Sequence, residues 1–219
     1  MRLGGPGPKA LRDIAGVPLF IHALRSLATS SLVDLVVIAA PHHQLEAFEE
    51  LVMDEELDLD LTIVAGGDTR QESVAAALAA VPDDYDYVLV HDAARAFVPA
   101  EVIDRVVAAL SEGAQAVVPV RPIYDTIKQV DSDGRISGTL DRSTLRGVQT
   151  PQGFPLDVLR QAHAAATTDA TDDATLAEAL GLEVVAVEGD PRAFKITQPL
   201  DLLVAEAMLV PESDEQDES

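Results

Sequence analysis

Short unbroken apolar runs alternate with stretches of helical period along most of this chain. DLVVIAA (34–40), LTIVAG (61–66), YVLVHD (87–92) and QAVVPV (115–120) are continuous and rich in β-branched residues, as strands covered on both faces are. Around them, VPLFIHALRSLAT (17–29), HHQLEAFEELV (42–52), RQESVAAALAAV (70–81) and PAEVIDRVVAALSEG (99–113) repeat their apolar residues at helical spacing, which predicts helices with one buried face. The alternation predicts an α/β fold, a mostly parallel sheet with right-handed helical crossovers on both faces. In such sheets ligands bind beyond the C-terminal ends of the strands, so chemistry is expected in the loops that follow these runs.

The pattern changes after residue 120. IYDTIKQVDSDGRISGTLDRSTLRGVQT alternates polar and apolar residues around a D-G turn signal, and predicts a β-arm over about 121–149 that leaves the main sheet. Isolated hairpins are marginal in water, so the thin apolar content of the arm calls for a second surface, such as another copy of the chain. Helices near 155–166 and 172–180, a strand at 183–187 and a closing helix near 199–209 follow. No repeat or linker divides residues 1–210, which read as one domain. The terminal PESDEQDES (211–219) carries acidic charge and no apolar anchor, and reads as a disordered tail.

With 219 residues, 47% of them apolar, the chain can bury a sizeable core. It has no cysteine, so neither disulfides nor thiolate chemistry enter. No apolar run is long enough for a membrane span and no secretory leader is evident, so a soluble cytoplasmic protein without a membrane partner is expected. The net charge of −23, from 38 acidic and 15 basic residues, argues against nucleic-acid binding, which needs a positive field. It also makes each lysine and arginine informative, because a site for an anionic substrate must draw on few of them. No Ser-His-Asp or paired-carboxylate arrangement supports a hydrolase.

Four stretches fall at predicted strand ends or before the last helix: PKAL (8–11), GGDTRQES (66–73), HDAAR (91–95) and FKIT (194–197). Each alone has a plain structural reading. Gly66 and Gly67 can form a tight turn with Asp68 capping the next helix; Asp92 can cap a turn, and Arg95, Lys9 and Lys195 can be solvated charges. Their recurrence at one edge of one predicted sheet favours a shared site. His22, His42, His43 and His163 lie on predicted helices without acidic partners at ligand spacing, and read as surface or partly packed residues. His91, at a strand end, is placed to orient the loop that carries Asp92.

Taken in order, PKAL, GGDTRQESV, VLVHDAAR, the DTIK and LDR of the arm, QTPQGF, TDDA and FKIT resemble the 2-C-methyl-D-erythritol 4-phosphate cytidylyltransferase family, from Arg2 to about Leu209. Sister cytidylyltransferases acting on other polyol phosphates, such as ribitol 5-phosphate, share most of the set. The resemblance implies a Rossmann-like nucleotidyltransferase fold and an in-line attack by a substrate phosphate oxygen on the α-phosphorus of CTP. Bringing two anions together makes positioning and charge neutralisation the main catalytic demands. By resemblance, Lys9 and Lys195 hold the α-phosphate and Arg2 sits on the phosphates near the line of attack. Gly67, Asp68 and Ser73 meet the cytosine, and Ala93 lies near the ribose. Asp92 and Arg95 serve the acceptor, with Thr150 and Thr171 lining the same pocket. Thr126 and Arg142, on the arm, reach the site of a partner in a homodimer, Arg142 on the acceptor phosphate. Mg2+ is implied, held mainly by CTP phosphates and water and not by a protein cage.

Two departures stand out. The family begins with a strand and A-A-G-x-G-x-R, and MRLGGPGPKAL aligns from that arginine onward. A central strand and most of a glycine loop are thus missing from this sequence, and a start assigned too late, with a longer natural protein, is the favoured expectation. The alternative is a truncated, catalytically weak CTP-binding remnant. Ala96-Phe97 stands where the family usually has proline after HDAAR. A dinucleotide oxidoreductase is disfavoured, since neither a G-x-G-x-x-G after a first strand nor an acid about twenty residues further on is present.

Overall fold

A computed structural model describes residues 9–168 and 170–210. Arg2, the opening glycines, the side chain of Lys9 and the acidic tail lie outside the described residues. The chain enters through a 3₁₀ turn (Lys9–Leu11) and a short antiparallel pair, β1 (Asp13–Ile14) and β2 (Val17–Pro18), leading into helix α1 (Leu19–Leu27). Strand β3 (Leu35–Ala40), helix α2 (Leu45–Met53) and strand β4 (Asp60–Ala65) form a parallel unit in which each β3 residue pairs in register from Leu35↔Asp60 to Ala40↔Ala65. Phe20 of α1 and Phe48 of α2 stack at 4.5 Å over this pair. Helix α3 (Arg70–Ala80), strand β5 (Tyr87–Val90), helix α4 (Ala100–Ser111) and strand β6 (Val117–Pro122) continue the alternation.

Beyond β6 the arm carries β7 (Lys128–Val130) and β8 (Ile136–Thr139), antiparallel and joined through Gly134 at φ +80°. Strand β9 (Arg146–Val148) returns antiparallel to β6. The chain then enters the main sheet as β10 (Gln152–Pro155), antiparallel to both β5 and β6. Helices α5 (Leu156–Ala165) and α6 (Asp173–Ala179), strand β11 (Val185–Glu188) parallel to β6, and helix α7 (Pro199–Met208) complete the described chain. The main sheet runs β11-β6-β10-β5 and is mixed, because β10 reverses the otherwise parallel sense.

Val106 and Leu110 of α4 are buried against Val117 of the sheet, and Val102 beside Val98 and Ala193, each contributing roughly 1.5–3 kcal/mol relative to exposure. Where β10 passes under α4 only glycine fits: a Cβ on Gly153 would lie 2.4 Å from Val106 Cγ1. Phe154, alternating to the other face, packs with Leu78, Leu159 and Ala177 beneath α3, α5 and α6.

One edge of β3 and one edge of β5 have no paired strand among the described residues. Between them runs a cavity of about 540 Å³, walled by Phe20 and Leu24 of α1 on one side and Val74 and Leu78 of α3 on the other. Both parts of the sheet direct the C-terminal ends of β3, β4 and β5 to the end of the molecule where the site lies.

Candidate active site

The side chains that could act on an anion converge where β5 ends. Asp92 follows His91 out of the strand, and the turn that follows is closed by Arg95 N–H donating to Asp92 O at 2.8 Å. The Asp92 carboxylate, 16% exposed, is shared between two cations. Lys195 Nζ donates to Oδ2 at 2.7 Å, and Arg70 Nε reaches Oδ1 at 3.3 Å. Burial would raise the Asp92 carboxyl, but the hydrogen bond and charge of Lys195, with Arg70 and Arg95, overcome it and hold the group below the usual carboxylate range. Lys195 is brought here by the loop before α7, where Ile196 N–H donates to Ala94 O at 2.8 Å. Its ammonium stays partly open to solvent, at 46% side-chain exposure.

His91 orients the loop, as its position predicts. Nε2 lies 3.1 Å from Arg95 O and Nδ1 lies 3.1 Å from Thr150 Oγ1, which in turn accepts from Asp92 N–H at 3.0 Å. A carbonyl can only accept, so the proton sits on Nε2, and the hydroxyl of buried Thr150 donates to Nδ1. Burial pushes His91 down to about 4, with partial opposition from its hydrogen bond to Arg95 O and from Asp92. Arg95 is present in the cluster, but NH1 and NH2 donate to Ala193 O at 2.8 Å and Val148 O at 3.1 Å. It ties the Asp92 turn to the approach of Lys195 and the base of the arm. Burial lowers Arg95, with Asp92 opposing. Ala96 and Phe97, the departure from proline, are core residues: Ala96 is fully buried and Phe97 packs 5.5 Å from the ring of His22.

The GGDTRQES segment leaves β4 on the far side of the cavity. Gly66 N–H donates to Ala40 O at 2.8 Å, and Gly67 N–H donates to Ser73 Oγ at 3.2 Å. A Cβ on Gly67 would stand 2.2 Å from Glu72 Cβ, so the close approach requires glycine. The cap of α3 is Thr69 and not Asp68: Thr69 Oγ1 accepts from Glu72 N–H, and Glu72 returns its carboxylate to Thr69 N–H. That frees the exposed Asp68 from a capping role. Ser73 Oγ donates back to Thr69 O at 2.9 Å, and Ser73, Asp92 and Ala93 all line the cavity mouth.

Residues outside the expected set complete the cluster. Arg70, the first residue of α3, places NH2 2.7 Å from Asp173 Oδ2. Asp173, 1% exposed, receives His163 Nε2 on its other oxygen at 2.9 Å. His163, expected without an acidic partner, is buried beside one: α5 and α6 fold back on each other and bring together residues ten apart. His22 is buried as well, with Nε2 3.0 Å from Ile14 O. Burial would lower Arg70, but Asp173 and Asp92 outweigh it and hold the guanidinium above its ordinary value. A charged residue inside the GGDTRQES motif and the second aspartate of TDDA were the available signals. Lys195 and Arg70 thus interleave with Asp92 and Asp173, which gathers these basic residues of an acidic chain at this end of the sheet. Thr171 is exposed in the loop before α6, held near α3 by Ala170 N–H donating to Gln71 Oε1 at 3.0 Å. Thr126 and Arg142 lie exposed on the arm, Arg142 donating to Tyr124 O, and neither contacts the Asp92 cluster within one chain.

Comparison with known proteins follows this geometry. A solved 2-C-methyl-D-erythritol 4-phosphate cytidylyltransferase from Thermus thermophilus superposes with a TM-score of 0.75 at 38% identity, covering 92% of this chain and 93% of that one. A synthase from Anaerococcus prevotii at 24% identity shares the fold with a TM-score of 0.83, over 93% of this chain and 94% of that one. Fold and site together define an α/β nucleotidyltransferase of the cytidylyltransferase kind. A family model described as IspD, 2-C-methyl-D-erythritol 4-phosphate cytidylyltransferase, matches residues 1–211. A relative of that name from Saccharopolyspora erythraea is 52% identical over 212 residues, 95% of this chain and 94% of that protein. Another from Rhodococcus jostii is 50% identical over 209 residues, 95% of this chain and 90% of that protein. The chain belongs to the 2-C-methyl-D-erythritol 4-phosphate cytidylyltransferase family.

Proposed function

We propose that this chain transfers the cytidylyl group of CTP to 2-C-methyl-D-erythritol 4-phosphate, a step of isoprenoid precursor synthesis by the non-mevalonate pathway. A phosphate oxygen of the acceptor attacks the α-phosphorus, the bond to the β-phosphate breaks, and pyrophosphate leaves with the electron pair. The observation that carries this reading is the Asp92–Lys195 pair at the end of β5, 2.7 Å apart and facing the GGDTR loop across the cavity mouth. The partly exposed Lys195 is the cation free to turn toward an incoming phosphate, where a positive charge stabilises the transition state. In this reading Lys9 and Arg2 serve the same phosphates. Gly67, Asp68, Ser73 and Ala93 receive the cytidine, and Asp92 and Thr171 line the acceptor side, with Arg95 bracing it and the buried Thr150, expected to line the pocket, holding the Asp92 loop from behind.

Magnesium belongs to the same reading. Asp92 and Asp173 are each already paired with cations, so the residues suit an ion carried in on triphosphate oxygens and water. Such an ion would neutralise phosphate charge and ease the departure of pyrophosphate. A homodimer also belongs to it. Tyr124, Val130, Ile136, Leu140 and Val148 are exposed on the arm and its base, and docking on a second copy would cover them and carry Thr126 and Arg142 to the partner's site. The reading places the enzyme in the cytoplasm.

The test is pyrophosphate release from CTP and magnesium with 2-C-methyl-D-erythritol 4-phosphate, and with ribitol 5-phosphate as the rival acceptor. Release with the first and not the second is expected. Release with ribitol 5-phosphate alone would move the acceptor assignment, and CTP binding without release from either would overturn transfer.

A further inference from the structure

One chain of contacts extends the site beyond the roles above, from its partly exposed cations into the core. It runs from Lys195 through Asp92 and Arg70 to Asp173 and His163, with links of 2.7, 3.3, 2.7 and 2.9 Å. Its far end lies in the core. Asp173 is 1% exposed and His163 5%. Gln152, 1% exposed in β10, accepts from the backbone N–H groups of Asp173 and Ala174 at 3.2 and 3.0 Å and donates to Asp172 Oδ2 at 2.9 Å. A carboxylate is costly to bury without partners. Asp173 is retained here with Oδ1 on His163 Nε2 and with Oδ2 in an ion pair with Arg70 NH2 that lacks the alignment of a hydrogen bond.

We propose that Arg70 is a positioning residue for the transfer reaction, anchored by Asp173 and His163 so that its Nε fixes the carboxylate of Asp92 in the acceptor site. This rests on the reading of Asp92 as an acceptor-side residue and deepens it. The guanidinium is planar and rigid, so seating NH2 on Asp173 determines where Nε points. Asp92 must keep one orientation while Lys195 leaves it for a phosphate. A carboxylate held by Lys195 alone would be free to rotate at that moment, whereas one also held on Oδ1 by an anchored arginine would not. Arg70 contacts Asp92 from α3, which starts at the nucleotide-side loop, so it also sets the distance between the nucleotide and acceptor halves of the site. Lysine could supply the charge at this position, but not two donors at a fixed angle.

The test compares Arg70→Lys, Asp173→Asn and the parent enzyme, with CTP binding followed by calorimetry as a check that the nucleotide half is intact. In Arg70→Lys, kcat/KM for the acceptor is expected to fall at least tenfold, while the KM for CTP stays within about twofold. Asp173→Asn, which loosens the anchor and leaves Arg70 in place, is expected to show the same split at smaller amplitude. A merely structural role would lower thermal stability without separating the two substrates. An unchanged acceptor kcat/KM in an Arg70→Lys enzyme that binds CTP normally would overturn the proposal. A crystal structure of Arg70→Lys gives a readout independent of turnover. Asp92 turned from its present contact is expected, and an unmoved carboxylate counts against the proposal even if the parent enzyme transfers nothing. Failure of the parent with every acceptor would instead overturn the functional reading.

Discussion

Mild acidification should destabilise this protein through His91, a buried histidine held neutral in the fold. The imidazole is held neutral by burial, with Nε2–H committed to Arg95 O and Nδ1 accepting from Thr150. Its folded value, about 4, lies below the 6.5 of a free histidine. The unfolded chain therefore binds the proton first. The stability His91 contributes is complete above about pH 7, falls as pH drops through 6.5, and is exhausted below about 4. Working the two values through the linkage relation gives a loss of about 1 kcal/mol at pH 5.5 and roughly twice that at pH 4.5, relative to neutral pH. The relief of self-repulsion in a strongly acidic chain opposes this, so the measurement must be differential. Urea unfolding of the parent and of His91→Gln, whose amide keeps a donor for Arg95 O, isolates the histidine. The stability difference between them should shift by the stated amounts between pH 7.5 and 4.5. Parallel pH profiles would refute the reasoning, as would an imidazole NMR titration with a midpoint near 6.5.

Two further predictions rest on packing and on the arm. Gly153→Ala should cost about 1–3 kcal/mol through overpacking, because its new methyl meets Val106 and Leu110 at 2.4 and 2.9 Å. Combining it with Val106→Ala should recover part of that loss in urea titrations, and strict additivity would refute the clash as the cause. If arms complete partner sites, Arg142→Ala and Lys195→Ala subunits, each inactive alone, should regain transfer when mixed and refolded together. Mixed dimers without activity would count against sharing.

The helices and the first four main strands were legible because their apolar residues repeat over enough positions for one period to win. The reversal at β10 was not. QGFP is four residues long and begins with a buried polar side chain, and its antiparallel sense follows from the path by which the arm returns. The two-residue strands β1 and β2 carry too little pattern to read at all. Site residues were visible as motifs at strand ends, but their pairings were not. Asp92 and Lys195 are 103 residues apart, and nothing in either motif tells that one carboxylate would hold two cations. Arg95 reads as an exposed fork until the carbonyls of Ala193 and Val148 are placed against it. His163 and Asp173 sit on different helices and meet only once α5 and α6 pack.

The cavity between β3 and β5 joins these observations. Its walls are apolar, but Ser73, Asp92 and Ala93 stand at its mouth, the residues assigned to cytidine and acceptor. The GGDTR loop follows β4 and the Asp92 loop follows β5, on either side of this cavity. Side-chain contacts that reach from the GGDTR loop to the end of β5 therefore bear on how the two sides of the site are oriented. Core packing beneath α1 and α3 sets their separation but is non-directional. The Arg70–Asp92 contact, reaching from the start of α3 to the end of β5, supplies direction at the level of the reacting groups. This gives a physical reason for a guanidinium here and for the buried carboxylate beside it: one planar group touching both Asp92 at the end of β5 and Asp173 of α6 fixes a direction between the loops as well as a distance.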